Sequence, residues 1–213
     1  MATKPNLPPA LTEAPLDDAA RAMLEEQQEI EEYRFVDGEL RDLVSTRVEF
    51  TACSFTRCTF RDCEVKRFCF VDCEFDHCDL SNMRFDNATF QRVRLSQCRL
   101  TGVGFSNSAL MNVTAEGCAM DYAGIMDCKL DGVDWTDCRM RESAWTNLKA
   151  KRHTFTRCDL TSAQISFVPM KGMNMTTCTL DGLMIDPHDL RGMRVTALQA
   201  LMFSRMLGLE IDE

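Results

Sequence analysis

The chain has 213 residues, 45% of them hydrophobic and 27% charged, with a formal net charge of −9, enough for one domain with a buried core plus short arms. That charge argues against electrostatic binding to DNA, RNA or an anionic membrane surface. The N-terminal M-A-T-K-P-N-L-P-P-A lacks the apolar centre of a secretory signal, and the longest stretch free of charge, Leu100 to Ala115, is too polar to span a bilayer. A cytoplasmic location is therefore expected, in which twelve cysteines do not read as a disulfide framework.

Taken in chain order, residues 1–34 form an arm. The first fifteen hold four of the six prolines and little hydrophobic pattern, which predicts disorder. From Asp17 the sequence predicts an acidic helix, N-capped by Asp17 or Asp18, with Leu16, Ala20, Met23, Gln27 and Ile30 on one side. Such a narrow stripe suits either a cap over the first turn of the following domain or a free, partner-binding arm.

Residues 35–195 obey a period of five. From Phe50 through Phe55, Phe60, Val65 and Phe70 to Val195, all thirty positions taken every fifth residue are apolar; at the background composition the chance is on the order of 10⁻¹⁰. Neither a helix nor a simple strand has that period. A second column lies two residues before each of these positions and contains eleven of the twelve cysteines, only Cys69 falling outside. Seven of the cysteines, Cys58 to Cys178, follow at intervals of twenty. A four-sided coil of twenty residues, about eight coils stacked at the inter-strand spacing of about 4.8 Å, accounts for both periods. Phe fills eight of the twelve central positions up to Phe105, and Met, Leu and Ile dominate later, so the first half of the core is expected to be a stack of rings.

After Val195 the period stops. Residues 196–213 form a terminal capping and dimerisation segment: Thr196 and Gln199 form a capping box, Gly208 a C-cap, and the helix between them carries Leu198, Leu201, Met202, Phe203, Met206 and Leu207. One side of that helix can close the domain while another pairs with a second copy.

The motifs C-x-F, C-D-L, C-R-L, A-T-F and C-T-L resemble the pentapeptide-repeat family over roughly Phe35 to Val195. The resemblance implies an all-β solenoid, a right-handed quadrilateral β-helix. Through Leu190, Gly192, Gln199, Ala200, Leu207 and Gly208 the C-terminal end is also similar to the Qnr and MfpA group. That likeness implies a homodimer through the terminal helix and a partner such as DNA gyrase or topoisomerase IV, shielded from quinolones by a DNA-mimicking protein. The unbroken register supplies none of the projecting loops of Qnr proteins, so the loop-less MfpA type is the nearer comparison.

No catalytic constellation is visible, and neither an enzyme nor a cofactor is expected. A cysteine ladder cannot converge four sulfurs on one metal, and there is no C-x2-C pair; the thiols read as small buried packing groups, with outward Cys69 the most reactive. His153 and His188 fall in the inward column and His77 outside it. The net charge resides in the arms: −7 in residues 1–44, zero in 45–195 and −2 beyond. A local acidic patch spans residues 116–137 at −5, and Glu74 and Asp76 share a face with Glu116, Asp134 and Asp137. Lys149, Lys151, Arg152 and Lys171 stack, with Arg191, on another. Each patch is either a partner-binding face or a solvated surface; the flat faces and the N-terminal helix suit a scaffold equally well.

Overall fold

The computed structural model describes residues 2–206, 208 and 209. It is an all-β parallel solenoid of about nine turns with two short helices. From Glu29 onward residue n pairs with residue n + 20, as in Thr89 with Ala109 and Phe90 with Leu110, and the strand pairs among the described residues are parallel. Four sides result. Strands such as Thr89–Ser96, Ala109–Glu116, Lys129–Thr136 and Lys149–Thr156 bend around a corner and so build two adjacent sides. A six-stranded sheet from Arg84–Asp86 to Met184–Ile185 builds the third, and single bridges from Thr59–Asp79 to Asp159–Thr179 build the fourth.

The corners explain the period. Two residues after most central apolar positions the chain turns with φ near +50°, as at Asp72, Arg92, Asn112, Asp137 and Arg152. No Val, Ile or Thr adopts this conformation among the described residues, as expected when a β-branched side chain would meet its own backbone there. Both inward columns then fill the axis. Every central residue from Phe50 to Ile185 is buried except Ala150.

Rings stack along the N-terminal half: Phe50 on Phe70 at 5.5 Å and 3°, Phe55 on Phe75 at 4.6 Å and 10°. Further along, Trp135 occupies the place above the small Ala115, to which it is paired in register, and meets Trp145 edge-on at 5.6 Å. The cysteines do more than fill volume. Cys73 Sγ donates to the carbonyls of Phe50 and Val71, both at 3.3 Å, and the same two-carbonyl pattern recurs at Cys58, Cys78, Cys98, Cys138 and Cys158. Ser108 substitutes its hydroxyl for the thiol in the same geometry, 2.7 Å to Phe85 and 3.0 Å to Ser106.

The N-terminal arm departs from its predicted disorder. Residues 12–16 form a strand against Tyr33–Arg41, and residues 2–11 lie along one side of the solenoid. Proline leaves the segment little use for a ladder, and three of its amides find side chains instead, among them Ala2 N–H on Asp134 at 3.0 Å and Asn6 N–H on Asp72 at 2.9 Å. Gly38 permits the crossing, because a Cβ there would lie 2.4 Å from the carbonyl oxygen of Leu16.

The first helix, α1, runs Asp18–Gln27 with Asp17 accepting from Ala19 and Ala20 N–H. It buries Ala20 and Leu24 beside Leu16 and Ile30, while Gln27 is exposed. Leu24, not Gln27, therefore completes its inner side, since the helix ends in a left-handed Gln28 and turns away.

The second helix, α2, spans Ala197–Met206. The capping box forms, with Thr196 N–H on Gln199 Oε1 at 2.8 Å and Gln199 N–H on Thr196 Oγ1 at 3.2 Å. Gln199 Nε2 then donates to the carbonyls of Met175 and Cys178, satisfying the last coil. Phe203 is buried against that end, whereas Leu198, Leu201 and Met206 are exposed and Met202 is half-buried. Leu207 lies outside the described residues.

Candidate binding faces

On a solenoid the neighbours of a charge sit about twenty residues away, and this rearranges both predicted patches. Glu74, Arg94, Thr114, Asp134 and Thr154 stand in one row across five strands, and Asp76, Ser96, Glu116 and Thr136 in the next. Glu74 and Asp134 are thus three strand steps apart, about 14 Å, with Arg94 between them. Asp137 sits on the adjoining corner and is held by two bonds, both 2.6 Å, from Arg157. The −5 of residues 116–137 dissolves in the same way: Asp121 pairs with Arg139 at 2.6 Å and Asp131 with Arg152 at 2.6 Å. Asp134 accepts from Thr154 at 2.7 Å as well as from Ala2. A continuous acidic stripe is not what the fold builds. Glu74 and Glu116 remain without an ion pair among the described residues.

The arm overlies this same side. Leu7, Pro8 and Leu11 line a groove with Arg34, Val36, Glu74, Asp76 and Arg94. Asp72 anchors the crossing: it is nearly buried, takes Arg92 Nε and Nη2 at 2.6 Å each, and the Arg92 bonds hold its carboxyl below the usual range. Sequence reading gave no hint of this pairing, although Asp72 and Arg92 are separated by the coil length and that spacing was the available signal.

Of the basic residues, Lys149 and Lys151 are exposed on one strand, Arg152 turns the corner toward Asp131, and Lys171 stands one coil further on. Arg152 and Lys171 line an open cleft of about 530 Å³ with Ala150, His153, Phe155, Pro169 and Asn174. His153 is inward, as its column predicts, but its Nε2 has no hydrogen-bond partner, and burial lowers its pKa. His188 is exposed rather than inward, because the chain turns at Asp186-Pro187 and His188 N–H bonds Asp186 Oδ1 at 2.7 Å.

All twelve cysteines are free thiols. Burial pushes Cys53 up to about 11, and Cys73 well above its ordinary value. Cys69, expected to be the reactive one, is half-buried between the rows of Glu49 and Thr89. Its pKa is raised by burial first and then by Glu49, which disfavours the thiolate. Among the described residues no three His, Cys, Asp or Glu side chains converge as a metal site, and no helix is long and apolar enough to cross a membrane.

Comparison with known proteins follows from this geometry. The profile of the pentapeptide repeat region matches residues 46–123 and 88–167, more than half of the chain taken together. The chain belongs to the pentapeptide-repeat family. Among solved pentapeptide-repeat structures, a trypsin-treated form of QnrB1, a plasmid-mediated fluoroquinolone resistance protein, is 21% identical at a TM-score of 0.50, covering 87% of this chain and 90% of that one. The full-length form of the same protein is 22% identical at 0.38, covering 85% and 90%. HetL, involved in heterocyst differentiation regulation in a Nostoc cyanobacterium, is 12% identical at 0.34, covering 83% and 93%. A search of curated proteins gives no match. At these identities the similarity to QnrB1 establishes a pentapeptide-repeat fold, and the family's β-helix carries many unrelated roles.

Proposed function

We propose that this chain is a non-catalytic binding rod that pairs with a second copy through α2 and engages a type II topoisomerase, DNA gyrase or topoisomerase IV. The observation that carries this reading is α2 itself. Gln199 and Phe203 tie the helix to the last coil while Leu198, Leu201 and Met206 are left facing outward, an apolar surface suited to a two-fold contact. The kind of partner comes from the similarity to QnrB1, a fluoroquinolone resistance protein, together with the C-terminal resemblance. The unpaired carboxylates of Glu74 and Glu116, with Asp76 on the strand of Glu74 and Asp134 on the strand beyond Glu116, are the acidic groups such a partner would meet. Asp137 contributes less, being neutralised by Arg157.

A gyrase supercoiling assay with and without a fluoroquinolone tests the reading. Inhibition by the protein alone, or restored supercoiling in the presence of drug, is expected; no effect at any concentration overturns it. Replacing Leu198 and Leu201 by Asp should convert the dimer to monomer in sedimentation equilibrium.

A second reading, a scaffold that binds another protein through its flat sides, is favoured by the arm. The side that holds residues 2–11 through Asp134, Asn112 and Asp72 already receives an extended polypeptide. Deleting residues 1–34 would then change partner capture without altering any gyrase assay.

A further inference from the structure

The parallel ladder is interrupted on one side between Glu64–Val65 and Arg84–Asp86, and on two adjacent sides between Lys149–Thr156 and residues 169–176. On these two sides the corner amide of an earlier coil donates to the following coil, as Ala52 N–H does to Val71 O at 2.9 Å, and the following coil donates back, as Glu74 N–H does to Cys53 O at 3.0 Å. The corresponding bonds, Arg152 to Lys171 and Asn174 to His153, are not formed, and no backbone bond joins Lys149–Thr156 to residues 169–176. Instead residues 169–177 pair onward with the last coil, Gly172 N–H to Gly192 O at 2.8 Å and Met175 N–H to Arg194 O at 2.9 Å. On the far sides the ladder resumes, with Thr179 N–H on Cys158 O at 2.9 Å and Leu148 N–H on Phe167 O at 3.1 Å.

Two residues open this slot. Pro169 stands where Ala109, Lys129 and Lys149 each donate an N–H to the preceding coil, and proline has none. Ala150 stands in the column of Phe70, Phe90, Leu110 and Leu130, leaves the axis unfilled and is only partly buried.

We infer that the slot is a β-strand docking site for an extended acidic segment of a partner protein. Three independent features point there. Both rims present backbone donors and acceptors with no partner, the template that an added strand satisfies. His153, nine-tenths buried and lining the slot, has an unpartnered Nε2, a group that costs stability until a ligand satisfies it. The rim carries Lys149, Lys151 and Lys171, none of them within ion-pair distance of a carboxylate among the described residues, while Arg152 is held by Asp131. An acidic strand would meet three free cations and one tethered one. One rim is the coil that Gln199 ties to α2, and the other carries Thr154 beside Asp134; the proposal uses neither the outward apolar residues of α2 nor the unpaired glutamates, and does not depend on the topoisomerase reading.

The test uses the full chain and an end-blocked hexapeptide of alternating valine and glutamate. Anisotropy should report saturable binding, and amide hydrogen exchange at Arg152, Phe155 and Asn174 should slow by about tenfold or more. Ala150→Leu, which gives the column its usual side chain, should abolish both effects while the fold is retained by circular dichroism; Lys151→Glu with Lys171→Glu should weaken binding. The inference is overturned if the acidic peptide does not bind, if a version N-methylated on alternate amides binds equally well, or if a valine–lysine peptide or inorganic phosphate protects the same amides.

Discussion

The coils between Phe35 and Phe105 and those after Lys149 obey the same five-residue rule and yet are built differently. In the first region flat rings lie on one another along the column, every central position is filled, and the outer side is strapped by residues 2–11. In the second, Ala150 leaves the axis short of volume, Pro169 withholds a donor, and the ladder opens. The difference teaches that the repeat specifies a direction for each side chain, in or out, while closure of the stack depends on residue size and on one N–H per side. Met170, Met173 and Met175 can fill an irregular end; they cannot replace a missing donor.

The contrast can be broken at its strongest point first. Phe70→Ala removes a ring packed against Phe50, Phe68, Phe85 and Phe90, and should cost about 3–5 kcal/mol in chemical denaturation. Met170→Ala, beside the open slot, should cost less, near the lower end of about 2–5 kcal/mol for such truncations. Equal losses would mean that the slot does not soften its surroundings. Conversely, Pro169→Thr restores a donor opposite Leu148 and should gain about 1 kcal/mol, with slower amide exchange across residues 150–156.

The strap offers the next test. Asp72→Asn removes the charge that Arg92 and the Asn6 amide share, and should cost about 1–2 kcal/mol as a charged, partly buried hydrogen-bond centre. Exchange of residues 2–11 should accelerate while that of α1 is unchanged. Because Asp72 is held below its ordinary value by Arg92, its contribution is complete above about pH 3.9 and is lost as the pH falls through the lower folded-state value. The strap should therefore stay docked at pH 5 and be released only on acidification below the ordinary carboxylate range.

His153 gives a milder effect of defined sign. Burial lowers its pKa below that of the unfolded chain, so between the two values the unfolded state binds the extra proton and stability falls as the pH drops below about 6.5. His153→Phe should flatten that part of the stability profile. Least of all, Arg157→Ala breaks the fully exposed pair with Asp137 and should leave the melting temperature unchanged.

Much of the fold was legible because it rests on residue type at fixed intervals: the apolar centres, the cysteine column and the Thr196–Gln199 box all formed as their spacing implied. The faces were less so. Counting charge along residues 116–137 treats sequence neighbours as spatial ones, and overlooks Arg139, Arg152 and Arg157, which lie against those carboxylates from the following coil. The slot was written in Pro169, whose place in the donor column is decisive only once the direction of each ladder bond is known. The arm was hidden for a different reason: its amides bind scattered side chains, Asp72, Asn112 and Asp134, and no periodicity records such contacts.

The twenty-residue register has one consequence for how such a rod can change. Removing a full turn joins Arg–Asp partners from coils that share an orientation, so every side keeps its character. Removing five residues keeps all inward positions inward yet rotates everything beyond the cut by a quarter-turn, carrying Lys149 and Lys151 onto a different side from the one they now share with Lys129. The core would not register the edit, whereas every surface beyond it would have a new address.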